Sequence, residues 1–156
     1  VMPPSKEFNV KIQKLKLIAK TNEDLRVISA HLQDSIVKIS DIVNLKKNRI
    51  FLIQLNRFMW EDIEKGVFRK NKRIRTMLKF DNVLDAVSKN INQKQHDRFL
   101  DFLAIESSKM PNENYKINLI FSGDTIIKLE VEAIEATLDD QGSPWESKNR
   151  PKHKDI

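Results

Sequence analysis

The segment YKINLIFSGDTIIKLEV, Tyr115 to Val131, limits the folds open to this chain more than any other stretch. Tyr115, Ile117, Leu119 and Phe121 alternate with other residues, SGDT interrupts, and Thr125, Ile127, Leu129 and Val131 resume the alternation. Successive side chains of a strand point to opposite faces, so two such runs joined by a Gly-Asp turn predict an antiparallel hairpin with one buried face. A one-residue slip would expose every inward Ile, Leu and Phe, at about 1.5–3 kcal/mol each. The hairpin therefore needs a sheet around it.

Further strands follow from the same period. Leu15, Leu17 and Ala19 share one face of LKLIAK, and Lys16 and Lys20 lie on the other. IVKISDIVNL and the run from Ile50 pair across an Asn-rich turn at Lys46 to Arg49, and Ile50 to Leu55 is apolar on both faces, as a central strand would be. Arg73, Arg75 and Lys79 alternate with Ile74, Thr76, Leu78 and Phe80, which predicts a strand with one basic face. NVLDAVSKNI and FLDFLAIES, either side of the loop NQKQHD, complete about eight strands. Two segments have helical spacing. Thr21 opens TNEDLRVISAHLQD as an N-cap with Asp24 in the capping-box position, and Leu25, Ile28 and Leu32 form its apolar stripe. Ile134 and Leu138 stand four apart before Gly142 and Pro144, which predicts a short C-terminal helix over AIEATLDDQ. The class is α+β and β-rich: an antiparallel roll or half-open barrel, of which a pleckstrin-homology-like barrel is one member, with a short helix after the first strand. One globular domain is expected over residues 14–145, between tails at 1–13 and 146–156, with Glu61 to Lys72 as a connection.

Composition removes whole chemistries. The 156 residues suffice for a single core, and with no cysteine there is no disulfide, zinc-thiolate or thiol nucleophile. Three scattered glycines give neither a P-loop nor a dinucleotide fingerprint, and the three histidines lack metal-ligand spacing. Neither a signal peptide nor a bilayer-length apolar run is visible, so the expectation is a cytoplasmic protein without membrane insertion. The net charge of +6 raises nucleic acid as a partner, but 20 of the 28 basic residues are lysine, which an A+T-rich coding sequence produces without one.

Four clusters could carry function. His31 lies three before Asp34, with Gln33 between them; an imidazole beside a carboxylate could be a general base, although a helix C-terminus favours histidine in any case. Asn56, Arg57 and Trp60 end the apolar run at Ile50 to Leu55, and a guanidinium beside an indole could grip an anion or a peptide. On an extended strand, however, Arg57 points away from Asn56 and Trp60. RKNKRIR, with Arg69, Lys70, Lys72, Arg73 and Arg75, is the best phosphate-binding segment, but no aromatic is interleaved to stack a base. Glu130, Glu132, Glu135, Asp139 and Asp140 lack a wrapping loop, so neither a metal nor any other cofactor is expected. The reading is a non-catalytic binding or accessory domain for a protein or small anionic partner, using His31, Gln33, Asp34, Asn56, Arg57 and Trp60. Nucleic-acid binding through 69–79 and an enzyme with a His31/Asp34 pair are the alternatives, and a free sheet edge would permit a homodimer.

The segments LKLIAKTNEDLRVISAHLQDSIVKISDI, FLIQLNRFMWE, FLAIES and IKLEVEAIEATLDDQGSPWESKNRPKH together resemble domain of unknown function family 2948, from Leu15 to His153. SAHLQD and LNRFMWE are the more distinctive parts. The resemblance implies a small bacterial, cytoplasmic protein of a mostly alphaproteobacterial family, and it carries over no catalytic residue.

Overall fold

The structure, a computed structural model, describes residues 14–59 and 72–146. The expected tail at 1–13, all but Glu146 of the expected tail at 146–156 and all but Lys72 of the connection Glu61 to Lys72 lie outside the described residues; Glu146 and Lys72 themselves belong to strands. The elements run β1 (Lys16–Ala19), α1 (Asn22–Leu32), β2 (Ile36–Leu45), a 3₁₀ turn (Lys46–Asn48), β3 (Ile50–Phe58), β4 (Lys72–Phe80), β5 (Val83–Lys89), β6 (Phe99–Lys109), β7 (Tyr115–Phe121), β8 (Thr125–Val131) and β9 (Ala136–Glu146). They form one sheet in the order β1-β9-β4-β3-β2-β6-β7-β8-β5, antiparallel throughout.

Among the described residues nine strands replace the expected eight, because the segment read as a C-terminal helix is β9. Its inward positions are Ala136, Leu138 and Asp140, all buried, so a period of two was present but ended on a charge. The Gly142 and Pro144 taken for a helix stop sit in a bulge. Arg73 of β4 pairs with Trp145 and Arg75 with Gln141, which leaves the intervening β9 residues unmatched, and Gly142 takes φ +71° there.

The sheet curls and stays open. Phe99 to Asp101 of β6 pair with β2, and from Phe102 onward the same strand pairs with β7. The two halves turn their apolar faces onto one core, Ile53, Leu55, Leu78 and Leu138 from the first meeting Ile117, Leu119 and Leu129 from the second. Val83 N–H donates to the Arg49 carbonyl at 2.9 Å, which brings the β5 edge back to the β2–β3 turn. The β7–β8 hairpin has the predicted register, Tyr115 opposite Val131 and Phe121 opposite Thr125. Its turn places Gly123 at φ +72° and Asp124 at +56°, the paired positive values that match the twist of a tight hairpin.

Helix α1 covers one end of the roll with Leu25, Ile28 and Leu32, and the Ser29 hydroxyl accepts the Ile105 N–H at 2.9 Å from β6. Thr21 Oγ1 accepts from Asp24 N–H at 3.1 Å as expected, while Asp24 itself accepts from Lys20 N–H at 2.9 Å. The Lys20 amide is the main cause of a depressed Asp24 pKa. Because the folded-state value lies below the unfolded one, this contribution is present at neutral pH and lost as pH falls through the depressed value. Thr21→Ala is expected to cost about 1 kcal/mol in chemical denaturation. Asp24→Asn should destabilise at neutral pH, with the difference from the parent vanishing in acid. Among the described residues no helix is long and apolar enough to cross a membrane.

Candidate functional site

Polar side chains gather in three places: inside the roll, on the outer face of β3 and β4, and along the gap where the sheet fails to close.

Inside, the β3 alternation that buries Phe51, Ile53 and Leu55 carries Arg57 to the same face. Thr76 of β4 stands between Leu55 and Asp140 in register, and Arg57 lies opposite Ile74, one step along. Arg57 therefore reaches diagonally across β4. Its Nε donates to Asp140 Oδ1 at 2.8 Å and its Nη2 to Oδ2 at 2.6 Å, with both side chains fully buried. Asp140 Oδ2 also accepts the Leu15 N–H at 2.8 Å, and Asp140 N–H donates to the Leu15 carbonyl at 2.9 Å. One carboxylate thus ties β3, β9 and the lead into β1 together. Enclosed and bidentate, the pair locks strands and presents no charge to a ligand.

On the outer face, Arg73 Nη1 donates to the carbonyls of Asn56 at 3.1 Å and Asp34 at 3.3 Å, and its guanidinium lies 5.8 Å from the Phe58 ring centre. Burial lowers the Arg73 pKa, and the charges of Asp34 and Asp101 oppose the shift. Arg75 donates to Gln54 Oε1 at 2.6 and 3.2 Å, to Asn56 Oδ1 at 3.3 Å and to Asp41 Oδ2 at 3.0 Å. Both guanidiniums are occupied by protein acceptors.

The third place is the gap. Beyond Lys38, β2 leaves β6; Ile39 and Ser40 N–H donate to the carbonyls of Arg98 and His96, and from Asp41 to Leu45 no strand lies on that side among the described residues. Among the described residues β5 is the sheet edge and pairs with β8 alone. Between these edges lies a cavity of about 500 Å³, floored by Ile39, Ile42, Phe51 and Ile127 and edged by Ser40, Asn44, Ser88, Gln93 and His96. Val43, Leu45 and Val87 stand exposed along the same two strands, Val87 at 56%. Ligand sites commonly occupy about 300–1,000 Å³ and combine an apolar floor with a few polar groups.

The sequence candidates divide accordingly. His31 is half-buried in the last turn of α1, Gln33 is its exposed C-cap, and Asp34 follows at φ +64° with its N–H donating to the Phe102 carbonyl. No hydrogen bond or ion pair joins His31 to Asp34. Asp34, Asn56, Arg73 and Arg75 come together, while Arg57 faces the interior with Asp140. Lys72 begins β4 opposite Glu146. Trp60, Arg69 and Lys70 lie outside the described residues. Sequence reasoning missed both the Arg57–Asp140 pair and the gap. A signal for the pair existed, one base and one acid at the inward end of two otherwise apolar alternations; the gap depends on strand order and left no local trace.

No curated protein and no solved structure matches the chain. The model of the family described as Protein of unknown function (DUF2948) matches residues 15–153, nearly all of the sequence, and the chain belongs to that family.

Proposed function

We propose that the protein is a non-catalytic binding domain that takes a protein or small anionic partner into the gap between β2 and β5. The observation that carries this reading is the cavity of about 500 Å³ at the place where the nine-stranded sheet stops short of closure. An apolar floor there excludes water from a ligand body, and the polar edge fixes its orientation. A cytoplasmic setting accords with the cysteine-free composition. Of the bases the nucleic-acid alternative would use, Arg69, Lys70, Lys72, Arg73 and Arg75, Arg73 Nη1 donates to the Asp34 and Asn56 carbonyls and Arg75 to Gln54, Asn56 and Asp41, which leaves these two less suited to meet phosphates; Arg69 and Lys70 lie outside the described residues. The enzyme alternative needs His31 and Asp34 in contact.

The test uses a partner recovered by cross-linking and affinity capture, then purified. Val43→Glu and Val87→Glu place a carboxylate at the mouth without disturbing the core, and each should weaken binding by about tenfold or more. Unchanged affinity in both variants, or turnover of a metabolite in an activity screen, would refute the reading.

A further inference from the structure

Among the described residues two strand edges face the gap without ladder partners on that side, along Asp41 to Leu45 of β2 and along β5. Such edges present a row of main-chain N–H and C=O groups, and another extended backbone can satisfy several of them at once. Proteins usually guard a free edge by shortening it or placing proline in it. The opposite edge of this sheet, β1, has four residues; β5 has seven and no proline, and its register shift lies at its start, between Val83 and Asp85, so that Asp85 to Lys89 pair regularly. At one end the gap is stopped by the Val83–Arg49 bond and at the other by the 96–98 segment bonded to Ile39 and Ser40. The opening between these stops suits an extended segment of roughly five to seven residues at about 3.4 Å per residue.

Charge at the rim has one sign in excess. Lys46 and Lys47 follow β2 directly, Lys89 ends β5, and Lys94 adjoins Gln93 of the cavity wall. None of the four has an ion-pair partner among the described residues. Two of the nearby acids are already engaged, Asp41 by Arg75 at 3.0 Å and Asp97 by Lys38 at 3.4 Å, which leaves Asp85 on β5 and Asp124, whose carbonyl accepts from Asn90 beside Lys89, as the opposing charges.

From these observations we infer that the partner is an acidic protein segment that binds as an added β-strand between β2 and β5, with alternate apolar side chains on the cavity floor and carboxylates toward the rim lysines. The inference rests on the gap being the binding site and specifies what enters it.

The probes are a short labelled peptide alternating valine and glutamate, its valine–lysine counterpart, and two versions of the acidic peptide N-methylated at its valines or at its glutamates. Dodecanoate serves as a small anion of comparable apolar content. Binding is followed by fluorescence anisotropy and by amide chemical shifts of the full chain. The acidic peptide is expected to shift residues 42–45 and 86–89, to bind about tenfold more tightly than the lysine peptide, and to lose about tenfold when at least one of the two positions is methylated. Lys46→Glu with Lys89→Glu, both at the surface, should reverse the peptide preference. Equal binding of the methylated and parent peptides, or of the acidic and lysine peptides, overturns the inference. Shifts in the gap with dodecanoate and with neither peptide overturn it while leaving the gap as a ligand site. A partner whose contacts lie wholly elsewhere refutes both.

Discussion

Asp140→Ala is expected to lower the unfolding free energy by about 3–5 kcal/mol, because it removes the Asp140 carboxylate that meets the buried Arg57 guanidinium in two hydrogen bonds. The loss is twofold, since Asp140 Oδ2 also accepts the Leu15 N–H at 2.8 Å and so fastens the lead into β1. Glu132 supplies the control. It accepts from Arg49 Nη1 at 2.7 Å, close to the 2.6 Å of the Arg57–Asp140 contact, yet its pair is more than half exposed. Glu132→Ala should therefore cost less than about 1 kcal/mol, because water replaces the lost partner. Similar distances with unequal penalties would show that burial sets the effect. Urea denaturation of the two variants beside the parent measures it; equal losses would contradict the assignment.

Phe102→Ala should cost about 3–5 kcal/mol through the cavity it leaves. Phe102 is fully buried at the point where β6 changes partners, and its ring meets Phe121 edge to face with centroids 5.3 Å apart. Its backbone also holds the α1–β2 junction, donating to the Ser35 carbonyl and accepting from Asp34 N–H, each at 2.8 Å. Phe99, three residues earlier on the same strand, is 59% exposed, with the Lys38 ammonium 5.9 Å from its ring centre. Phe99→Ala should stay within about 1 kcal/mol of the parent. A small effect at Phe102 would mean that the two halves of the sheet do not share a core.

The contrast between those phenylalanines could not be read from the chain, because both occur in apolar strand-like sequence and only the switch of β6 from β2 to β7 decides which is enclosed. What was legible depended on clean alternation. The β7–β8 hairpin has its register in Ile117, Leu119 and Phe121 against Leu129, Ile127 and Thr125, and helix α1 has its cap in Thr21 and its stripe in Leu25, Ile28 and Leu32. The period in β9 was hidden by its own function in the fold. Asp140 occupies an inward position, and a carboxylate there looks like a polar face until Arg57, 83 residues earlier, supplies its partner. Ile134 and Leu138 then gave a helical spacing by accident, with Gly142 and Pro144 marking a bulge.

The candidate site divides along the same line. Parity correctly separated Arg57 from Asn56, since neighbours on a strand face opposite ways, but it could not say which face was inside. Arg73 and Arg75 looked like a basic surface because sequence does not reveal that Gln54, Asn56, Asp41 and the Asp34 carbonyl stand within reach. The gap is a property of topology alone. Its walls come from β2, β3, β5, the following loop and β8, and a missing ladder leaves no mark on any of them.

Amide hydrogen exchange of the whole protein, with and without its captured partner, tests the central claim most directly. Partner binding in the gap predicts new protection concentrated in Asp41 to Leu45 and in β5, with little change on the outer face of β3 and β4. Protection confined to Gln54, Asn56, Arg73 and Arg75, or to the end of α1 at His31, would contradict it.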